Sequence, residues 1–199
     1  MIDLYTWHTP NGRKVSIMLE EIGMDYKVFP INIAKDEQFQ PHFLKISPNN
    51  RIPAIIDKDN NNFSLFESGA ILMYLAEKSG KLINKSNSDE YFRTMEWLMW
   101  QMGGVGPMFG QVHHFVKYNK GKSAYAEERY SKEARRLYGV MDKRLSVNPY
   151  IAGKEYSIAD ISIWPWTARF DWQEIDLNEF PNVARWYCLL YTSDAADEL

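Results

Sequence analysis

SPNNRIPAIIDKDNNNFSLFESGAILMYL, residues 47–75, is the stretch whose pattern decides the fold. Its Ile52-Pro53 pair precedes a short apolar run, Ala54 to Ile56, and a polar turn, Asp57 to Asn62. A second run, Phe63 to Phe66, leads through Glu67-Ser68 into an apolar-periodic segment. The pattern predicts strand, hairpin turn, strand, helix. The Asp and Asn of the turn tolerate left-handed backbone and bond their own main chain. Pro53 cannot donate to a ladder and belongs at a strand start or edge. The N–H and C=O of Ile52 are then free to pair with an extended peptide, as an added strand would. At the predicted helix start, Ser68 offers a hydroxyl and a backbone N–H to a carboxylate. Glu67 accepts from an ammonium. A ligand with a peptide bond and an amino-acid head group satisfies all of these, and a cis Ile52-Pro53 bond would present Ile52 as a fixed edge. An ordinary strand start followed by a capped helix fits the same residues, and locally both remain open.

The chain's 199 residues suffice for one large or two small domains. A net charge of −3 argues against nucleic acid as a main partner. No apolar run approaches the roughly 20 residues that span a bilayer, so no membrane partner is expected. The start, MIDLYTWHTPNG, lacks a basic region before an apolar core and does not read as a signal peptide. One cysteine excludes an intramolecular disulfide and fits a reducing, cytoplasmic setting.

Residues 2–5 alternate as a short strand. Val15, Met18, Leu19 and Ile22 fall on one helix face, which Gly23 closes. Residues 26–32 form a second strand, placed at an edge by Pro30, and 36–46 an irregular helix or loop. The order β-α-β-α-β-β-α predicts an α/β, thioredoxin-like domain over 1–80. Residues 80–88 are a linker, and an all-α domain is expected over 89–199. Two apolar stripes there are assigned to its core: Phe92, Met95, Met99 and Met102, and Tyr130, Ala134, Leu137, Met141 and Leu145. Ser157-Ile158-Ala159-Asp160 reads as a capping box opening a helix through Trp172, with Pro165 in its first turns.

These domains, the Ile-Pro and Glu-Ser pairs and the Ser-Ile-Ala-Asp box together resemble the cytosolic glutathione transferases. TPNGRKV at 9–15, SPNNRIPAI at 47–55, LFESGAIL at 65–72, GGVGPMFGQVHHF at 103–115 and ERY at 128–130 resemble the nu class in particular. That class is the bacterial group with glutathione-dependent disulfide-bond reductase activity. The resemblance covers about residues 1–187 and implies a glutathione site. Thr9 and Asn11 would lie beside the sulfur as the catalytic pair, and Gln38 and Arg51 at the glycine end. The Ile52 backbone would pair with the cysteinyl unit, Glu67 and Ser68 would hold the γ-glutamyl head, and Arg129 would reach in from the helical domain. It also implies a homodimer, with glutathione, reduced or oxidised, as co-substrate and a small disulfide or electrophile as substrate.

Physical chemistry supports the sulfur site independently. A thiol beside hydroxyl and amide donors at a helix N-terminus has its thiolate stabilised. Thr9 supplies the O–H and Asn11 the amide, while Pro10 adds no competing donor. Tyr5 alternates into the first strand and reads as core. With no cysteine at this point, exchange would run between bound glutathione and a substrate disulfide.

Other signals carry less. Cys188 reads as a buried or incidental thiol. His113 and His114 are adjacent on a helix, point to different sides, and suit structural or pocket-lining roles rather than a metal. Gly103, Gly104 and Gly106 read as a kink near the domain interface that gives a second substrate room. The charged 127–136 segment is a solvated face apart from Arg129. Leu189 to Leu199, LLYTSDAADEL, departs from the basic helix with which the resembled class continues, and reads as an unrelated appended end. The first expectation is therefore a glutathione-dependent disulfide-bond reductase. The alternatives are a transferase or peroxidase acting on electrophiles or hydroperoxides, and a glutathione-binding module without turnover.

Overall fold

A computed structural model describes residues 1–191. The chain forms two compact units, one from Met1 to Ile83 and one beginning at Asn84.

The first unit runs β1 (Ile2–Thr6), α1 (Pro10–Ile22), β2 (Tyr26–Pro30), two single 3₁₀ turns, α2 (Pro41–Leu44), β3 (Ala54–Asp57), β4 (Phe63–Phe66) and α3 (Ser68–Ser79). The sheet order is β2-β1-β3-β4. β1 and β2 are parallel, which their α1 crossover permits, while β3 pairs antiparallel with both β1 and β4. Pro30 ends an edge strand, where its missing N–H interrupts no ladder. Ile2 and Leu4 of β1, Ile55 of β3, Val15, Met18 and Leu19 of α1 and Ile71, Leu72 and Leu75 of α3 are fully buried. Burying such a side chain contributes about 1.5–3 kcal/mol, so this apolar seam holds the helices on the sheet. Tyr5 stacks on Phe29 with ring centroids 4.9 Å apart and packs against Ile31, Phe43 and Ala54, as its place in the strand predicts.

The second unit contains α4 (Ser88–Trp100), a π-helical turn (Gln101–Val105), α5 (Gly106–Val112), a second π-helical turn (His113–Tyr118), α6 (Ala124–Leu145), α7 (Ile158–Thr167) and α8 (Pro181–Tyr191). In α6 the expected core stripe is buried at Ala134, Leu137, Met141 and Leu145. The capping box forms as read. Ser157 caps α7, and Asp160 accepts from the backbone N–H of Ser157 and Ile151 and from Trp186 Nε1 at 2.9–3.1 Å.

Three expectations change. The α4 stripe is not core: Phe92 is 67% and Met99 51% exposed, while Thr94, Leu98, Gln101 and Val105 pack inward. The period of a helix identifies its apolar face without identifying what covers it. The helix opened by Ser157 ends at Thr167, so Pro165 sits near its end; residues Phe170–Gln173 form a separate 3₁₀ turn. Cys188, read as buried or incidental, is exposed on α8. Leu189, Leu190 and Tyr191 of the segment read as an appended end belong to α8, where Leu190 is buried. Residues 192–199 of that segment lie outside the described residues.

Candidate functional site

The register of the sheet gathers one set of loops. Thr6 faces Pro30, Tyr5 faces Ala54 and Ala54 faces Phe66. The segments after β1, β2 and β4 and the segment before β3 therefore all leave the same end of the sheet. Those segments carry Thr9 and Asn11, Gln38, Arg51 and Ile52, and Glu67 and Ser68.

The segment after β1 turns sharply, with Thr9 N–H donating to the Trp7 carbonyl at 2.7 Å. Thr9 is then the N-cap of α1: its Oγ1 accepts from the Gly12 N–H at 3.2 Å. The cap uses the Thr9 oxygen as acceptor and leaves its O–H hydrogen to donate. Pro10 takes the first helical position, where no intrahelical N–H is needed. Asn11 follows in the same turn, half-buried. Gly12 makes the close approach possible. A Cβ there would lie 2.3 Å from the Trp7 carbonyl oxygen and 2.4 Å from Thr6 Oγ1.

The loop before β3 is held by Ser47, whose hydroxyl donates to the Arg51 carbonyl at 2.7 Å. The exposed Arg51 guanidinium folds onto Asn50, donating to its side-chain oxygen at 2.8 Å. The Ile52–Pro53 peptide is cis. Neither the N–H nor the C=O of Ile52 has a backbone partner among the described residues. Gln38 is 92% buried, and its Nε2 donates to Asp36. Its Oε1 is buried with no partner among the described residues. Such an orphaned acceptor calls for an explanation, and a ligand donor supplies one.

After β4, Glu67 adopts φ 72° and ψ 113°, a region that costs a non-glycine residue about 1–3 kcal/mol. It is exposed, and Ser68 beside it opens α3 with its side chain buried. Lys14 Nζ donates to Ser68 Oγ at 3.3 Å. Lys14 is 1% exposed, and burial pushes its pKa down to about 7 against the opposing pull of Glu67. Neither Gly12 nor Lys14 stood out in the sequence. For Lys14 a signal existed: Lys14, Met18 and Ile22 are spaced i, i+4, i+8 on the buried face.

Arg129 belongs to the second unit. It is exposed on α6 and lines a cavity of about 600 Å³ with Met108, Tyr125, Lys132 and Arg136. His113 is buried between Trp166 and Trp172, 3.2 Å from Gln173 Nε2, and burial pushes it down to about 4. His114 is exposed.

The family model for the glutathione S-transferase N-terminal domain matches residues 1–77, and that for the C-terminal domain matches 104–194. The chain belongs to the glutathione S-transferase family. The transferase resemblance drawn from the motifs, and the thioredoxin-like plus helical architecture it implies, are borne out at that level. Among glutathione S-transferase relatives, the chain is 49% identical over 191 residues to the disulfide-bond oxidoreductase YfcG of Escherichia coli K12, covering 94% of this chain and 88% of that one. It is 39% identical to the disulfide-bond oxidoreductase YghU of the same organism over 199 residues, 93% and 69% of the two chains. A glutathione transferase family member from Pseudomonas fluorescens, solved with two glutathione bound, superposes with a TM-score of 0.94 at 43% identity, covering 99% and 91%. A Pseudomonas putida glutathione transferase, solved with one glutathione disulfide bound per subunit, gives 0.92 at 42%, covering 99% and 89%.

Proposed function

We propose that this transferase-family chain is a glutathione-dependent disulfide-bond reductase of the nu class, in which bound glutathione supplies the reacting sulfur. The observation that carries the proposal is the start of α1. A threonine caps the helix with its oxygen and keeps its O–H to donate, in a unit that contains no cysteine. A thiolate placed there meets the Thr9 hydroxyl, the Asn11 amide and the positive helix end, which lower a thiol pKa.

The chemistry balances with glutathione alone. A glutathione thiolate attacks one sulfur of the substrate disulfide, forms a mixed disulfide, and expels the other sulfur as a thiolate that takes a proton from solvent. A second glutathione attacks the mixed disulfide, releases the remaining substrate thiol, and leaves glutathione disulfide. The Ile52 edge pairs with the cysteinyl unit, Glu67 and Ser68 hold the γ-glutamyl head, and Gln38 and Arg51 hold the glycine end. The neighbours solved with glutathione and with glutathione disulfide support either redox form as the ligand, and the YfcG and YghU relationships support the disulfide chemistry.

The uncovered Phe92 and Met99 face of α4 supports a homodimer, since exposed apolar patches of this kind mark association surfaces. The domains are assigned to 1–80 and 89–199, and the single cysteine supports a cytoplasmic setting. Among the described residues, no helix is long and apolar enough to cross a membrane.

A panel of a small mixed disulfide, an aryl halide and a hydroperoxide, each with reduced glutathione, tests the reaction class. Turnover is expected to be greatest on the disulfide. Turnover confined to the halide or the hydroperoxide would instead assign a transferase or a peroxidase, and binding without any turnover a non-catalytic module.

A further inference from the structure

His113, Gln173 and Tyr138 take no part in the candidate site, and they form a buried chain of polar groups within the second unit. Tyr138 of α6 donates its hydroxyl to Gln173 Oε1 at 2.7 Å. Gln173 Nε2 donates to the Trp166 carbonyl of α7 at 2.9 Å and lies 3.2 Å from His113 Nε2. A carbonyl oxygen only accepts, so the amide nitrogen has to face Trp166. Its other hydrogen then meets His113 Nε2, which must carry no proton. The imidazole that completes the chain is the neutral one with its hydrogen on Nδ1. A second proton would set an N–H of His113 against the amide N–H. Turning the amide over gives no relief, because Gln173 Oε1 would then face the Trp166 carbonyl. Either way a buried polar group loses its partner.

We propose that the His113–Gln173–Tyr138 chain is an acid-sensitive latch: it holds the Phe170–Gln173 turn against α6 and the second π-helical turn while His113 is neutral, and releases it when His113 takes a proton. The surroundings favour the neutral form. The imidazole lies between the Trp166 and Trp172 rings, with centroids at 5.5 and 5.4 Å. Burial, and after it the Arg169 guanidinium, push its pKa from 6.5 to about 4, against the opposing pull of Asp171. Lys117, on the imidazole's own turn, sits over the Trp172 ring at 5.5 Å. Tyr138 from α6 and Trp166 from α7 bring no charge, and α5 contains no charged residue. With the turn open, the imidazole titrates near its ordinary value. Between pH 6.5 and about 4 the open form therefore binds more protons than the closed one, and acid shifts the balance toward opening.

The experiment is hydrogen–deuterium exchange of wild type and His113→Gln, compared with each other at pH 7 and again at pH 4.5, so that intrinsic exchange rates cancel. The reporting amides are Trp172, Glu174 and Ile175, which donate to the carbonyls of Arg169, Asp171 and Phe170 at 3.0–3.2 Å. Their protection in the wild type should fall between the two pH values by on the order of fiftyfold more than in His113→Gln, which cannot titrate. Asp160 also titrates in this range, at about 6, but both proteins keep it and its bonds to Ile151, Ser157 and Trp186. An equal fall in the two proteins, or none in the wild type, would overturn the proposal. So would a fall shared equally by the amides of β1 and β3, which marks general acid unfolding. If His113→Gln fails to fold by circular dichroism, the wild type decides by nuclear magnetic resonance titration of the His113 ring. Protonation below about pH 5, with the three amides losing protection at the same midpoint, supports the latch. Ring protonation without that loss, or the loss without ring protonation, overturns it.

Discussion

The side-chain oxygen of Thr9 accepts a hydrogen bond from the backbone N–H of Gly12 at 3.2 Å, which ties the site to the first turn of α1. One oxygen closes the helix end while its hydrogen stays available to a sulfur. Replacing Thr9 with alanine should therefore cost twice. The lost cap should lower stability by about 1 kcal/mol, and the lost donor to the thiolate should lower disulfide turnover by about tenfold or more. Thr9→Ser keeps both roles and should restore most of each. Steady-state rates and urea midpoints for the three proteins check this. Wild-type turnover in Thr9→Ala would remove Thr9 from the chemistry.

Gly12 is required for a different reason. Its added Cβ would sit 2.3 Å from a backbone carbonyl, which cannot rotate away as a side chain can. Gly12→Ala should push the Trp7–Thr9 turn off α1 and destabilise the fold by about 1–3 kcal/mol. A thermal melt would read this as a drop of several degrees, accompanied by weaker glutathione binding. An unchanged melt would mean the turn has room that the geometry does not give it.

Lys14 makes stability depend on pH. Burial takes its pKa from 10.5 to about 7, so between those values the folded chain binds fewer protons than the unfolded one. Stability from this group then rises with pH across that window, and below it the cost of a buried ammonium is fully present. Between pH 7 and 9 the gain should be on the order of 2 kcal/mol. Lys14→Met should lack that gain. Urea unfolding of both proteins at the two pH values gives the comparison, and parallel behaviour would contradict the burial of a titrating lysine.

The α4 face should hold two copies of the chain together. Phe92→Glu combined with Met99→Glu places charges on a face that a dimer would remove from water, where unpaired charge is strongly unfavourable. Sedimentation should show a dimer for the wild type and a monomer for the double variant. A monomeric wild type at micromolar concentration would remove the dimer proposal.

The α4 face also shows what the sequence could and could not carry. Val15, Met18, Leu19 and Ile22 were legible because their face packs within their own unit. Phe92, Met95 and Met99 have the same periodicity, but residues 94, 98, 101 and 105 take the inward positions. A stripe announces desolvation and does not name the partner that provides it. At the candidate site, Ile52, Glu67 and Ser68 were singled out because strand-edge and helix-start chemistry restricts residue type, and Thr9 and Asn11 through the family resemblance. Lys14 was not, because a helical lysine ordinarily keeps its ammonium in water. Gly12 was not, because its constraint is the carbonyl of Trp7, set by a chain path that only the fold reveals. Of the two π-helical turns around α5, the first was anticipated only as a kink at the glycines and the second not at all, since an i→i+5 bond leaves little residue signature.

The central claim is that the reacting sulfur comes from glutathione and not from the chain. Turnover of a small mixed disulfide by Cys188→Ala, measured with reduced glutathione in excess, tests it most directly. A rate within about twofold of wild type is expected, because Thr9 and Asn11 act on a sulfur that arrives bound. Complete loss of turnover in a folded Cys188→Ala protein would contradict it.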